Sequence, residues 1–539
     1  MIVSALLACT GAPEVVPAVV VTPPVVAETP VDGDVLVIAL PMDPGNINPL
    51  VAPYALSGMI SDLVQPGLVR RKVDDTGLSY EPNLAASWTW SDDKLALTYT
   101  LRDDAKWSDG TPVTSADAAF SWELIADPIV ASNWAGTAKH IASIETPDAR
   151  TIVYRFTAPK NPVLQQGYTM RGLVSKAELA SADRGTLRGH PSGREPVASG
   201  PFMVSAWAPD EKIVLVPNPN APADWKPHLS RVLVRIIPEP ATRMLELHSG
   251  AVDLVMDIDP SEVPAVSADP RLSLVVQKAA GMRYIGYNLT RPMFQDKALR
   301  TALTESVNRD ALMKELFSVD GVVHAQSCIG TIAPTLGPWY ASDVAPLPFD
   351  PVAAGKMLDD AGWKDSDGDG VRDQNGTPLR FQLMVQTGEA SLQQIAVRVQ
   401  AGWKDVGVAL DIDMVEPTRF SDRAHSRDYE AILWSFGANP KVDPSQEWRS
   451  DGPYNWFGYA NSDVDAKIDT LVASTDLAAS QAAAREMQAM IHADQPVTFL
   501  LWEDSFIAVD KRFHDVDMDT FTALRHLERW WVPKAEQKF

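Results

Sequence analysis

A short acidic segment is the sharpest candidate for chemistry in this sequence, because its carboxylates recur at alternate positions. Residues 365–373 read Asp-Ser-Asp-Gly-Asp-Gly-Val-Arg-Asp, with a glycine in the sixth place. Alternating oxygen donors around a glycine turn are typical of a calcium loop. The twelfth place, where a bidentate glutamate completes such a loop, is Gly376. We expect either an acidic surface turn or a structural Ca²⁺ remote from ligand recognition, with these ligands: Asp365, Asp367, Asp369 and Asp373.

The residue patterns of familiar enzyme classes are missing. No G-x-S-x-G elbow, H-E-x-x-H helix, phosphate loop or dinucleotide fingerprint occurs, and no two of the nine histidines have metal-ligand spacing on one helix. The 70 acidic residues still leave many pairs open for glycoside hydrolysis. We therefore expect a protein that is not an enzyme and requires no cofactor. A secreted carboxylate-dependent glycosidase is the enzymatic alternative.

Composition limits the possible partners. The 539 residues carry 47 Lys and Arg against 70 Asp and Glu, which gives a formal net charge of −23. Such a surface repels phosphate backbones, so nucleic acid is not an expected partner. A hydrophobic content of 45% is that of an ordinary globular protein, and the length predicts two large lobes or three to four folding units. No apolar run is long enough to span a bilayer.

The first residues have the form of a lipidation signal. Residues 2–8 are a short apolar run that ends Leu-Leu-Ala before Cys9, which resembles a bacterial lipobox. We expect residues 1–9 to be a lipoprotein signal remnant with a lipid on Cys9. Residues 10–32 are rich in proline and predict an extended tether. No Lys or Arg precedes Cys9, which departs from an export signal, and a buried apolar N-terminus is the alternative.

The elements that must position any site alternate between strand and helix patterns, which indicates α/β architecture. Residues 35–40 are a continuous apolar run typical of a buried strand. Residues 114–124 begin with a helix cap, and residues 297–317 have the period of one long amphipathic helix. A strand, a helix and a strand are predicted in turn for residues 381–385, 392–406 and 408–414.

Several blocks, in chain order, resemble extracellular solute-binding protein family 5 of ABC transporters, which holds dipeptide-, oligopeptide- and nickel-binding proteins. The most specific block is KWSDGTPVTSAD at residues 106–117. Further blocks are SGPFMVSAWAPDEKIVLVPNPN at residues 199–220 and YNLTRPMFQDKALRTALTESVNRDAL at residues 287–312. The similarity continues through residues 350–383 and 429–465. It covers nearly the whole chain after the tether.

The resemblance implies a periplasmic-binding-protein fold of the large peptide-binding type, with two α/β lobes joined by crossing strands and the ligand enclosed between them. Lobe I is expected at residues 33–282, with an extra subdomain near residues 77–198. Lobe II is expected at residues 283–503, and residues 504–539 return to lobe I. The acidic loop falls in lobe II.

The resemblance also implies a role. We expect a monomeric importer receptor that captures oligopeptide-like solutes and delivers them to the permease subunits of an ABC transporter. Its expected location is extracytoplasmic, periplasmic or at the cell surface, with the lipid anchor as its only contact with the membrane. The same role for oligosaccharides is the alternative.

Peptide-binding members of the family hold the ammonium of the ligand on an aspartate that follows a tryptophan. The corresponding segment here begins at Trp434, and the aspartate position is Gly437, Ala438 or Asn439. This departure favours blocked or modified peptides, or oligosaccharides that stack on Trp434 and Trp456. Each of these side chains has packing as its alternative role. The expected ligand contacts are Asn48, Trp434, Phe436, Gly437, Asn439 and Trp456.

Overall fold

The computed structural model of the protein describes residues 29–74, 76–437, 442–519 and 521–539. Cys9, the predicted signal remnant at residues 1–9, residues 10–28 of the predicted tether, and Asn439 lie outside the described residues. The predictions made for them stay predictions.

Strands and helices alternate along the described residues, which confirms the predicted α/β class. The strands are β1 Val35–Leu40, β2 Val69–Asp74, β3 Gly77–Pro82, β4 Ala85–Trp90, β5 Ala96–Leu101, β6 Ile141–Glu145, β7 Thr151–Phe156, β8 Phe202–Ala208, β9 Lys212–Pro217, β10 Arg231–Ile236, β11 Leu254–Val255, β12 Leu272–Tyr287, β13 Ser318–Val319, β14 Val322–Val323, β15 Ala325–Ser327, β16 Asp373–Gln374, β17 Thr377–Pro378, β18 Arg380–Gln386, β19 Ala409–Val415, β20 Ala431–Gly437 and β21 Val497–Asp510. The helices are α1 Ala55–Val64, α2 Ser115–Ala126, α3 Ala135–Ala138, α4 Pro162–Thr169, α5 Lys176–Leu179, α6 Pro240–Ser249, α7 Val263–Ala268, α8 Pro292–Gln295, α9 Lys297–Glu305, α10 Arg309–Leu316, α11 Pro351–Asp360, α12 Ala390–Asp405, α13 Pro417–Ser426, α14 Ser445–Trp448, α15 Ser462–Ala473 and α16 Leu477–Asp494.

Strand β1 and helix α2 form where the sequence predicted a buried strand and a capped helix. All six residues of β1 are buried, and the strand runs parallel to β10 and β11 on either side. Helix α2 begins with a capping box, in which the amide of Thr114 donates to Oδ2 of Asp117 at 2.8 Å. These reciprocal bonds satisfy amides that the first helical turn leaves without partners.

The single long helix predicted for residues 297–317 is wrong. The chain forms α9 and α10 instead, and the break lies at residues 306–308. Asn308 begins the second helix, because its Oδ1 accepts a hydrogen bond from the amide of Ala311 at 2.9 Å. The apolar period continues across the break, so periodicity alone could not reveal it.

One sheet runs through both halves of the molecule. Its strand order is β19-β18-β20-β12-β21-β11-β1-β10-β9-β8, and β15 also pairs with β21. Lobe I contains β11, β1, β10, β9 and β8, together with the separate sheet β4-β5-β7-β6 that forms its extra subdomain. Lobe II contains β20, β18 and β19. Strands β12 and β21 join the two lobes, as the resemblance implied, while the residue boundaries of the lobes stay predictions.

The two connecting strands are interrupted where they pass between the lobes. On the lobe I side, residues 272–277 pair with residues 505–510; on the lobe II side, residues 281–286 pair with residues 497–503. Between these stretches the register shifts, and Asp504 faces a bulge at Lys278, Ala279 and Ala280. Ala279 is buried and has a φ of +51°, a strained conformation for a residue other than glycine.

The Asp504 carboxylate holds this bulge in place. Its Oδ1 accepts a hydrogen bond from the amide of Ala279 at 3.1 Å, and its Oδ2 lies 2.7 Å from Nζ of Lys278. Nδ1 of His324 lies 3.3 Å from the same oxygen. A bulge bends a sheet locally, so the connecting strands bend at this point between the lobes.

The lobes touch each other on the subdomain side. Nδ2 of Asn161, which caps α4 in lobe I, donates to Oγ of Ser480 in lobe II at 2.6 Å. The amide of Asn161 also donates to the carbonyl of Val472 at 3.1 Å. Leu78 and Leu164 of lobe I share an apolar cluster with lobe II residues. These contacts describe a closed arrangement.

A buried ionic network fixes the far end of lobe I. The Arg512 guanidinium contacts Asp34, and its Nη2 lies 2.8 Å from Oδ2 of Asp253. Nζ of Lys538 lies 3.1 Å from Asp253 and 3.2 Å from Asp510. The network connects the start of β1, the approach to β11, the end of β21 and the C-terminal segment.

We predict that Arg512→Met lowers the free energy of unfolding by about 3–5 kcal/mol, because the change leaves the buried carboxylate of Asp34 without a cation and Asp253 with Lys538 alone. Urea denaturation of the purified chain measures the effect. Arg155→Met is the matched control, since its exposed ion pair with Glu145 adds little. Equal stability of the two variants would contradict a structural role for the network.

We predict that Asp504→Ala exposes the amide of Ala279 to exchange, whereas Asp504→Asn retains an acceptor for that amide. Loss of a hydrogen bond to a charged acceptor is worth ~1.5–3 kcal/mol, so exchange at Ala279 should accelerate roughly tenfold or more in Asp504→Ala. Hydrogen–deuterium exchange of the peptide that spans the bulge measures this. Equal exchange in wild type and Asp504→Ala would show that the carboxylate does not hold the bulge.

Candidate ligand-binding cleft

A cavity of about 100 Å³, partly open to solvent, lies beside the crossover on the lobe II side. The connecting strands contribute Met282 and Trp502, and the end of β20 contributes Phe436 and Gly437. The remaining lining comes from loops and from α14. Its residues are Thr331, Ile332, Val442, Asp443, Pro444, Glu447 and Trp448.

Strand register explains why three of these side chains meet. Met282 is paired with Phe436 on one side and with Trp502 on the other, so the three residues form a row across β20, β12 and β21. Directly paired residues on neighbouring strands point to the same face of a sheet. The next row contains Gly281, where an added Cβ would lie 2.8 Å from Oε1 of Glu503. The absence of a side chain at Gly281 leaves room for the Glu503 carboxylate.

The indole of Trp502 presents an unused donor in the cavity wall. The residue is 2% exposed, and its Nε1 has no hydrogen-bond partner. Buried donors without partners are rare in folded proteins because the lost hydrogen bond to water is not replaced. A ligand acceptor in the cavity would satisfy this donor.

The end of β20 is an open strand edge. Residues 431–437 pair with β12 along their whole length, whereas on the other side β18 pairs only with residues 431–433. Among the described residues, no strand covers residues 435–437 on that second side. An uncovered edge next to a cavity offers backbone donors and acceptors to an added strand.

Trp434 and Trp456, the two tryptophans predicted to stack on a sugar, stack on each other. The rings of Trp434 and Trp456 are stacked with centroids 4.5 Å apart and planes 14° apart. Phe420 packs edge-on against Trp434, and His425 packs against Trp456. Neither tryptophan lines the cavity, whereas Phe436 does and stacks on Tyr284 at 5.3 Å. The structure therefore brings Phe436 and Gly437 to the cavity and surrounds Trp434 and Trp456 with other rings.

Asn48 lies elsewhere. It is 1% exposed in the loop after β1 of lobe I, and its Oδ1 accepts a hydrogen bond from the amide of Leu50 at 3.0 Å. It does not line the cavity. A local turn of this kind explains its burial without a ligand.

Sequence reasoning assigned no ligand role to Asp443, which lines the cavity. Its Oδ1 accepts a hydrogen bond from the amide of Ser445 at 2.9 Å, which orients the carboxylate at the start of α14. No described cation lies within 4 Å of it. Burial lowers the pKa of Lys160 and of His140 in lobe I, and the charge of Asp443 offsets part of both shifts.

Lobe I contributes a half-buried group opposite this carboxylate. The ring of His140 stacks on Tyr168 at 4.5 Å, and burial lowers the pKa of His140 to about 4, with added repulsion from Lys160 and Lys139. The hydroxyl of Tyr168 is buried and has no partner. Burial also raises the pKa of Tyr168, to which the Asp443 charge adds.

Two arginines without ion pairs form a second charged region of lobe I. The Cζ atom of Arg171 lies 3.3 Å from the centroid of Trp134, and its Nε is buried without a partner. Burial lowers the pKa of Arg171 to about 10, and repulsion from Arg71 contributes. Cζ of Arg71 lies 5.8 Å from the centroid of Phe521. Neither of these guanidiniums has a carboxylate of the described residues within 4 Å.

Comparison with known proteins assigns the family. Residues 79–458, more than half of the chain, match the family described as bacterial extracellular solute-binding proteins, family 5. The chain belongs to this family. Its members are non-enzymatic transport components, which confirms that the protein is not an enzyme and excludes the glycosidase alternative.

Individual relatives of family 5 extend over nearly the whole chain. The oligopeptide-binding protein AppA of Bacillus subtilis is 23% identical over 94% of this chain and 93% of its own. The probable D,D-dipeptide-binding periplasmic protein DdpA of Escherichia coli is 26% identical over 90% of this chain and 92% of its own. The structure of AppA with a nonapeptide superposes with a TM-score of 0.77 and covers 94% of this chain and all of its own. NikZ of Campylobacter jejuni with Ni(L-His), 21% identical, gives the same score over 92% of this chain and 99% of its own.

These superpositions confirm the two-lobed periplasmic-binding-protein fold.

No helix within the described ranges is both long and apolar enough to cross a membrane. Cys328, the second cysteine of the sequence, is buried.

The acidic loop lies apart from the cleft, between α11 and β16. Carboxylate oxygens of Asp365, Asp367 and Asp369 lie within 4.8 Å of one another, and all three residues are exposed. Asp373 is not in this group, and its Oδ2 accepts a hydrogen bond from the amide of Ser366 at 3.1 Å. Calcium binding by this loop stays a prediction.

We predict that the stability of the folded chain falls between pH 6.5 and pH 4 in a way that depends on His140. The folded pKa of His140, about 4, is below its unfolded value of about 6.5, so the unfolded state binds more protons in this window. Stability contributed by neutral His140 is therefore present above pH 6.5 and lost as the pH falls. Urea denaturation at stepped pH should show a smaller loss for His140→Phe than for wild type.

Above pH 7 the curves of unfolding free energy against pH for wild type and His140→Phe should run parallel, because His140 is then neutral in the folded and in the unfolded chain. Phenylalanine keeps an aromatic ring against Tyr168, which limits the packing change. Parallel profiles across the whole range would contradict a lowered pKa at this position.

Proposed function

We propose that this protein is the substrate-binding protein of an ABC importer and that it captures peptides in the cleft between its lobes. It then delivers them to the permease subunits of the transporter. The open edge of β20 beside the cavity is the observation that carries the peptide assignment. A peptide has a backbone that can pair with residues 435–437 as an added strand, whereas a sugar has not.

The arrangement of the cavity supports the same conclusion. Met282, Phe436 and Trp502 form a largely apolar wall against which peptide side chains can pack. The Nε1 of Trp502 offers a hydrogen bond to a peptide carbonyl. The names of AppA and DdpA, an oligopeptide-binding and a probable D,D-dipeptide-binding protein, agree with this solute class.

The bulge at Asp504 supplies the movement that capture needs. A solute that contacts both lobes favours the closed arrangement by its difference in affinity for the closed and open forms. The permease can then distinguish loaded from empty receptors by their shape. A lipid on Cys9 and an extended tether would keep the receptor at high local concentration beside its transporter, at the outer face of the membrane.

We predict that a pool of three- to six-residue peptides made of Ala, Leu, Val and Ser raises the melting temperature of the purified chain. Any peptide that binds at a hundred times its dissociation constant adds about 2.7 kcal/mol to the free energy of unfolding. Thermal denaturation followed by mass spectrometry of the retained peptides measures the effect. A matched pool of oligosaccharides should leave the melting temperature unchanged.

Backbone-methylated versions of the retained peptides are the control for strand addition. They keep the side chains and end charges but lack amide donors, so they should bind at least tenfold more weakly. Stabilisation by the sugars and not by the peptides would overturn the proposed function.

A further inference from the structure

We propose that Arg283 is a positioning residue for solute capture, because its ion pair with Glu389 keeps the edge of β20 at residues 435–437 free. The ion pair holds the chain that follows β18 away from this edge. The role of Arg283 rests on the proposed function, since the free edge is where a peptide backbone would pair. Arg283 acts through the backbone of residues 386–389 and does not itself contact the solute.

Strand β18 is in register to cover the whole edge of β20, but its pairing with β20 stops early. Residues 383–385 pair with residues 431–433 in parallel. Continued pairing in the same register would place residues 386–389 beside residues 434–437. A strand in that position would supply partners for the backbone groups of the edge. The edge stays open only because the chain turns away after Val385.

The chain leaves the sheet within four residues. The amide of Thr387 donates to the carbonyl of Val415 at 2.9 Å, so the end of β18 follows β19 instead of β20. Gly388 has a φ of +96°, a conformation that glycine adopts readily and that does not continue a strand. Helix α12 begins at Ala390, directly after Glu389. The turn between strand and helix is therefore the place where the edge is left uncovered.

Arg283 approaches this turn behind β20. It follows Met282 on β12, and successive side chains of a strand point to opposite faces, so Arg283 points away from the cavity that Met282 lines. Its Nη1 donates to Oε2 of Glu389 at 2.8 Å, and its Nη2 lies 2.7 Å from Oε1 of Glu503. Because β20 lies between β12 and β18, the ion pair with Glu389 passes behind β20. It draws the start of α12 to the back of the sheet.

Burial makes this ion pair an effective tether. Arg283 is 8% exposed and Glu503 is mostly buried, so water screens their charges little. Glu503 fixes one nitrogen of the guanidinium, which leaves another directed at Glu389. The side chain of Glu389 is 40% exposed and caps no amide of α12. Replacing Glu389 therefore removes the tether without emptying the core or uncapping a helix.

The first test uses the chain without solute. In Glu389→Ala, residues 386–389 become able to pair with residues 434–437. Hydrogen–deuterium exchange of the peptide that spans β20 should then slow at least twofold, because amides of the edge gain partners. Glu315→Ala is the matched control: its ion pair with Arg398 also holds α12, about two turns further along the helix, and exchange at β20 should not change.

The second test measures solute binding. Calorimetric titration uses the pool of Ala, Leu, Val and Ser peptides and its backbone-methylated counterpart. Wild type should bind the unmodified pool at least tenfold more tightly than the methylated pool. In Glu389→Ala this ratio should fall to about threefold or less, because a covered edge weakens only those peptides that bind by pairing with it. Glu389→Gln keeps an acceptor for Arg283 and should retain most of the ratio.

The outcomes separate the role of Arg283 from the proposed function. If both pools weaken equally in Glu389→Ala, Glu389 serves the solute in another way, and the positioning role fails while the proposed function stands. Unchanged exchange at β20 together with an unchanged ratio would also overturn the positioning role alone. If neither pool binds wild type, the proposed function fails, and slower exchange of β20 in Glu389→Ala still supports the tether.

Discussion

A single carboxylate, that of Asp504, sits where the two lobes of this protein must remain connected and yet move. The sheet is continuous from β19 to β8, so the lobes cannot separate without bending β12 and β21. The bend has a fixed place because Ala279 adopts a strained conformation that the Asp504 carboxylate holds. Lys278 compensates the charge of that carboxylate, and Nδ1 of His324 lies 3.3 Å from it. On the proposed function, the bulge is the place where we expect the connecting strands to bend.

The cleft residues take their places from this crossover. Met282 and Trp502 belong to the connecting strands themselves, and Phe436 is the neighbour of Met282 on β20. A rotation about the bulge carries these side chains with lobe II, whereas Arg71 and Arg171 move with lobe I. On the proposed function, a solute that contacts both lobes favours the arrangement in which both lobes reach it.

Elements with strong local signals could be predicted from the sequence. The apolar run of β1 and the capping box of α2 each act within a few residues, and both predictions hold. The break between α9 and α10 was missed because the Asn308 cap interrupts a helix without interrupting its apolar period. A capping side chain inside a periodic stretch is the signal that would have revealed it.

The site was less accessible to such reasoning because its residues come from distant parts of the chain. Resemblance to the family led to Phe436 and Gly437, which do line the cavity, and to Trp434 and Trp456, which stack on each other. Nothing near Trp502 in the sequence shows that its Nε1 will be buried without a partner. A buried donor without a partner can be recognised only in the folded structure, where strand pairing shows which acceptors lie within reach of it.

Unused hydrogen-bonding groups in a closed chamber have an energetic consequence. The Nε1 of Trp502 and the Nε of Arg171 have left water without finding partners, and each such loss costs about 1–3 kcal/mol. The interlobe contacts at Asn161 favour the closed arrangement. A solute acceptor in the cavity would satisfy the Nε1 of Trp502. On the proposed function, closure then depends on cargo, since a solute that supplies an acceptor adds to the favourable contacts between the lobes.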